Sequence, residues 1–219
     1  MAKMRDGFFR RNGLSIVVLV FMLGAMAGQI ISGRLVYNEE LTHAGAPALS
    51  LWEYLCSGHF VSATFENWES EFLQMGMYVV LTVSLRQKGS AESRPMDPAK
   101  EQDTMENGPK PWPVRKGGIW LKLYENSLAL AFMLLFLISF LLHLDGSWRH
   151  EVVRQQLEGE PPIGLLQYLT SSHFWFESFQ NWQSEFLAVA SLVILTIWLR
   201  QKDSPQSKPV EAPHSQTGS

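Results

Sequence analysis

Apolar and polar residues segregate along this chain into long blocks. The first apolar block runs from Gly13 to Gly33 almost without charge. As a helix it would be about 30 Å long, the thickness of one hydrocarbon core. Helical patterning continues through Arg34, Tyr37 and Leu41 to a stop signal at Gly45 and Pro47. Ser50-Leu51-Trp52-Glu53 then sets a capping hydroxyl three residues before a carboxylate, which predicts the start of a short helix. The next block, Phe72–Leu85, is too short to span a bilayer alone. Counted from Trp68 to Arg86 it reaches about 27 Å, with Trp68 in an interfacial aromatic belt and Arg86 at the opposite headgroups.

The same order of blocks then recurs. From Ser57–Ser90 to Ser171–Ser204, 18 of 34 positions are identical without a gap, at an offset of 114 residues. Asn12 and Leu14 match Asn126 and Leu128, so Ser127–Leu144 repeats the first block. Gly164-Leu165-Leu166-Gln167 is a weaker copy of the capping box, and Trp182 to Arg200 a copy of the second span. The pattern predicts an all-α membrane protein. Four transmembrane helices would form two tandem, same-orientation two-helix repeats with short outer interfacial helices. Repeat 1 covers 1–88, with spans about 13–33 and 68–86; repeat 2 covers 119–202, with spans about 127–144 and 182–200. The His-Phe segments, including Phe174-Trp175-Phe176, are expected at the outer interface as part of two caps. An even number of spans per copy implies a pseudo-two-fold axis along the membrane normal.

A removable signal peptide would share the basic start and the small residues Ala25-Met26-Ala27. The internal copy of that block argues for a retained helix. Residues 89–118 combine Gly, Ser, mixed charge and Pro95, Pro98, Pro109, Pro111 and Pro113, a composition that predicts a disordered linker. The tail 203–219 reads the same way.

Charge decides orientation. Residues 1–12, 86–126 and 200–219 carry 15 of the 18 Lys and Arg, which predicts a cytoplasmic linker and cytoplasmic termini in a cell membrane. A formal net charge of −3 and the lack of a basic aromatic stripe exclude an ordinary nucleic-acid binder. The single cysteine, Cys56, excludes an internal disulfide.

Chemistry is sparser. Asn67 and Glu71 share a face with Ser70, and the second copy keeps Asn181, Ser184 and Glu185. Glu71 and Glu185 fall about one turn inside the aromatic belt, where an ionisable group is costly unless paired. Arg34 and Arg149, at similar depth, are their expected partners. A sharper reading has Glu71, Glu185, His59 and His173 converging on a proton or cation site between the copies. His143, replacing Gln29 of the first copy, is expected to hydrogen bond between helices rather than relay protons. A twelve-residue His-to-Glu spacing is no recognised metal signature, and no nucleophile elbow, phosphate loop or dinucleotide motif occurs.

The duplicated Phe-x-Asn-Trp-x-Ser-Glu-Phe-Leu motif at Phe65–Leu73 and Phe179–Leu187 resembles a family of uncharacterised bacterial multi-pass membrane proteins. Asn12-Gly13-Leu14-Ser15, Tyr37-Asn38-Glu39-Glu40, Trp112-Pro113-Val114-Arg115 and Leu123-Tyr124-Glu125-Asn126-Ser127 are also similar. The second copy departs from it with Arg149-His150-Glu151. The resemblance implies a membrane protein and carries no activity, cofactor or catalytic residue. The expected function is therefore a non-enzymatic structural or accessory membrane component without cofactors. Its partners would be the lipid bilayer and a membrane-protein partner or a second copy of the chain. The alternative is a small ion or proton channel or transporter with a site near Glu71 and Glu185.

Overall fold

A computed structural model describes residues 7–97 and 108–218. Residues 98–107 of the expected linker and the basic residues Lys3 and Arg5 lie outside them. Among the described residues all regular structure is helical. In chain order the helices are α1 Phe8–His43, α2 Leu51–Leu55, α3 Gly58–Ser84, α4 Trp112–Lys116, α5 Gly118–Glu125, α6 Ser127–Glu158, α7 Leu165–Leu169 and α8 Ser172–Leu195. Two of them, α1 and α6, are long and apolar enough to cross a membrane.

Local chemistry sets the ends. The Ser50 hydroxyl accepts the Glu53 N–H while the Glu53 carboxylate accepts the Ser50 N–H at 2.8 Å, a reciprocal cap that starts α2. Ser57 and Ser171 cap α3 and α8 by accepting the Phe60 and Phe174 N–H groups at 3.2 and 3.3 Å. His59-Phe60 and His173-Phe174 are thus first turns of the long helices and not separate interfacial segments. Phe174, expected at an interface, is fully buried. At the other ends, Arg86 and Arg200 fold their guanidinium groups back onto the last carbonyls, including Thr82 and Thr196.

Part of the expected linker is helical. Pro113 sits near the start of α4, where its missing N–H costs nothing. The Lys116 ammonium lies 4.8 Å from the Trp112 ring centre and 4.7 Å from that of Trp120. Those cation–π contacts help a five-residue helix that is too short to persist on propensity alone.

The chain divides into two compact units, residues 1–63 with 145–165, and residues 64–144 with 166–219. In the first, Tyr37, Leu41 and Tyr54 form a small core with Leu49, Phe60 and Val153 against it. Arg34 Nε donates to the Leu49 carbonyl at 3.0 Å, and Trp148 Nε1, 114 residues on, donates to Ile163 at 2.9 Å. Different residue types thus make the same hydrogen bond at corresponding positions. Gly58 and Gly146 mark a close backbone crossing: a Cβ on Gly58 would stand 2.5 Å from the His150 nitrogen, and one on Gly146 2.5 Å from that of Ser62.

In the second unit, the segments following α3 and α8 turn alike. The Gln87 and Gln201 N–H groups donate to Ser93 and Ser207 Oγ at 3.0 and 2.9 Å. Gly89 and Asp203, again 114 apart, both take positive φ, 87° and 63°. Where composition predicts a flexible tail, Lys208 is buried. Its ammonium donates to the carbonyls of Gly89, His214 (3.0 Å) and Gln216 (2.9 Å). Burial, and secondarily Arg200, hold its pKa below the usual lysine value. A compositional rule misses this order because it counts apolar area, whereas a charged donor satisfying carbonyls supplies it.

Polarity is distributed inside out. Among the described residues, seven buried side chains are apolar against fifteen polar or charged, while large apolar groups such as Leu14, Phe21, Leu35, Leu134 and Leu141 stand exposed. Water-soluble domains bury the opposite set.

Candidate functional site

Within the second unit, α3, α6 and α8 bring a histidine and three carboxylates together. Glu66 and Glu69 lie three apart on one face of α3; Glu177 and Asn181 lie four apart on α8. On α6, Ser139 and His143 lie four residues apart and are both buried, polar positions in the apolar stretch before Asp145.

His143 is the centre. Its Nδ1 lies 2.7 Å from Glu69 Oε2, and both side chains are removed from solvent. Trp182 Nε1 donates to Glu69 Oε1 at 3.0 Å, so each oxygen of that carboxylate has a partner. In the neutral ring, with the Glu69 carboxylate as acceptor, Nδ1 carries the proton and Nε2 presents its lone pair; in the imidazolium both nitrogens are donors. That Nε2 has no hydrogen-bond partner and stands 3.8 Å from Glu177 Oε2. Phe174 packs on the imidazole at 5.0 Å between ring centres. Glu66 accepts from Asn181 Nδ2 and feels the charges of Glu177, His143 and Glu69. Among the described residues no group of His, Cys, Asp and Glu is arranged to hold a metal ion.

The sequence candidates scatter around this cluster. His143 and Asn181 belong to it. His173, exposed on the first turn of α8, has Nδ1 3.5 Å from Glu177 Oε1. Glu71 and Glu185 lie against each other and not against an arginine, and Asn67 is exposed on α3. The expected arginine partners are engaged elsewhere: Arg34 on the Leu49 carbonyl, and Arg149 with Asp145 at 2.9 Å and the Cys56 carbonyl at 3.0 Å. His59 lies in the first unit, stacked on Tyr37 at 4.6 Å and edge-on to His150. Burial there pushes its pKa down, with Glu40 opposing.

A family model described as a domain of unknown function, DUF6766, matches residues 5–219. The chain belongs to that family. No curated protein and no solved structure matches it.

Trp182, expected to repeat the aromatic-belt position of Trp68, instead donates to Glu69, and the sequence pattern did not single out Glu66, Glu69 or Glu177. The signal was present where the copies disagree. At the 114-residue offset, Glu66, Glu69, His143 and Glu177 correspond to Gln180, Gln183, Gln29 and Ala63. Each charged member faces a neutral residue in its counterpart. Attention to what the copies share hides residues that only one of them has.

Proposed function

We propose that this protein is a four-span integral membrane protein, built from two same-orientation two-helix repeats and acting as a non-enzymatic structural or accessory component. The inverted polarity carries this reading. Exposed leucine, valine and phenylalanine along α1 and α6 are stable against hydrocarbon and costly against water. In this reading α3 and α8 cross the same bilayer, with Arg86 and Arg200 two and five residues beyond their ends near the headgroups, although α8 stops at Leu195, short of the expected span end at Arg200. The recurring hydrogen bonds and turns at the 114-residue offset support two copies of one unit. The distribution of Lys and Arg supports cytoplasmic termini.

Fractionation of cells expressing the untagged chain, followed by reporter fusions after Gly89 and Ser219, tests this. The expected result is recovery only in membranes, resistance to alkaline extraction, and cytoplasmic reporters at both positions. Recovery without detergent, or reporters on opposite sides, would overturn it.

A further inference from the structure

We propose that His173, Glu177, His143 and Glu69 form a proton-binding relay, loaded from the solvent-facing end of α8 and closed at the buried His143–Glu69 pair. The proposal rests on the membrane reading for its setting but not for its chemistry.

Solvent access is graded along the set. His173 keeps 62% of its side chain exposed, Glu177 26%, and His143 none. The two Glu177 oxygens face the two imidazoles, Oε1 toward His173 Nδ1 and Oε2 toward His143 Nε2. A small rotation of that one carboxyl brings it within hydrogen-bond reach of either ring. The transfer balances simply. A proton on His173 passes to the Glu177 carboxylate, and the carboxylic acid then gives it to the His143 Nε2 lone pair. The products are an imidazolium and a restored carboxylate.

Charge supplies the driving force. The groups facing His143 are Glu66 and Glu69 from α3 and Glu177 from α8. With all three ionised, even an imidazolium leaves two negative charges uncompensated in a low-dielectric site, so the cluster gains by taking up positive charge. The same groups are not arranged to hold a metal ion.

The internal copy carries amides at three positions of the cluster. Gln29, Gln180 and Gln183 stand at the positions of His143, Glu66 and Glu69. An amide can donate and accept hydrogen bonds but takes up no proton in the neutral range. What imidazole and carboxylate add is proton exchange.

The test uses the full chain, in micelles or, if fractionation finds it soluble, in buffer. It carries ¹⁵N-labelled histidine, and the His143 signal is assigned by its loss in His143→Gln. The expected result is reversible titration of His143 within about pH 5 to 10. The double variant Glu69→Gln, His143→Gln should bind about one proton fewer than wild type over that range. After a pH jump, Glu177→Gln should slow His143 protonation at least tenfold, and His173→Gln should slow it less. A His143 signal that stays in one protonation state would overturn the binding site, and an unchanged rate in Glu177→Gln would overturn the relay. Both readouts use chains that retain the His143–Glu69 pair, so misfolding of the double variant leaves them decisive. A soluble chain whose His143 still titrates through Glu177 would refute the membrane reading alone.

Discussion

His143 and Glu69 show how one pair can be costly and retained. Taking a carboxylate and an imidazole out of water costs several kcal/mol for each charged form, offset by their mutual hydrogen bond, the Trp182 donor and the Glu177 carboxylate beside Nε2. Removing one partner therefore leaves the other stranded. His143→Ala is expected to destabilise the fold by about 3–5 kcal/mol. The double change to glutamine, the residue at both positions in the other copy, should cost less than half as much. A double-mutant cycle in unfolding measurements checks this. Equal losses in both variants would mean that packing, not charge, dominates the site. Glu69 stood inside the most conspicuous motif of the chain, where its difference from Gln183 marked it, yet its pairing was not legible there, because its partner lies 74 residues away on α6.

At the scale of elements, helix starts were the most readable features, because a cap is a local hydrogen bond between residues three apart. Ser50 with Glu53 announced α2, and Ser57 and Ser171 carry the same information for α3 and α8. Helix contacts are not local, and the glycines show it. A methyl group added at Gly24 would meet no atom within 4 Å, whereas one at Gly58 or Gly146 would be driven into backbone. Gly58→Ala or Gly146→Ala should each lower stability by about 1–3 kcal/mol, since backbone cannot rotate aside as a side chain can. Gly24→Ala should be neutral or slightly stabilising through helix propensity. Thermal unfolding of the three variants side by side reads the difference. An unaffected Gly146→Ala would mean that the crossing has room for a methyl group after all.

At the scale of the whole molecule, Lys208 ties residues far apart in the chain. It joins the carbonyl of Gly89, after α3, to those of His214 and Gln216 in the tail, and Ser90 meets Thr196 at 3.0 Å beside it. Lys208→Met keeps the stem and removes the donors, leaving three carbonyls without their partner. Amide exchange across 203–218 should then accelerate at least tenfold, about 1.4 kcal/mol of local stability, while α1 and α6 keep their protection. Exchange unchanged across the tail would show that the turns hold themselves.

The sequence by itself determined the helical class, the two long apolar helices, the short capped helix α2 and the internal correspondence at 114 residues. All of these depend on periodicity or on neighbours within one turn. Only the tertiary structure decided that His143 meets Glu69, that Glu71 lies against Glu185, and that a lysine orders a proline- and serine-rich tail. Those outcomes depend on contacts between residues far apart in the chain, and a one-dimensional pattern of apolar and polar residues does not specify which polar positions of different helices will meet.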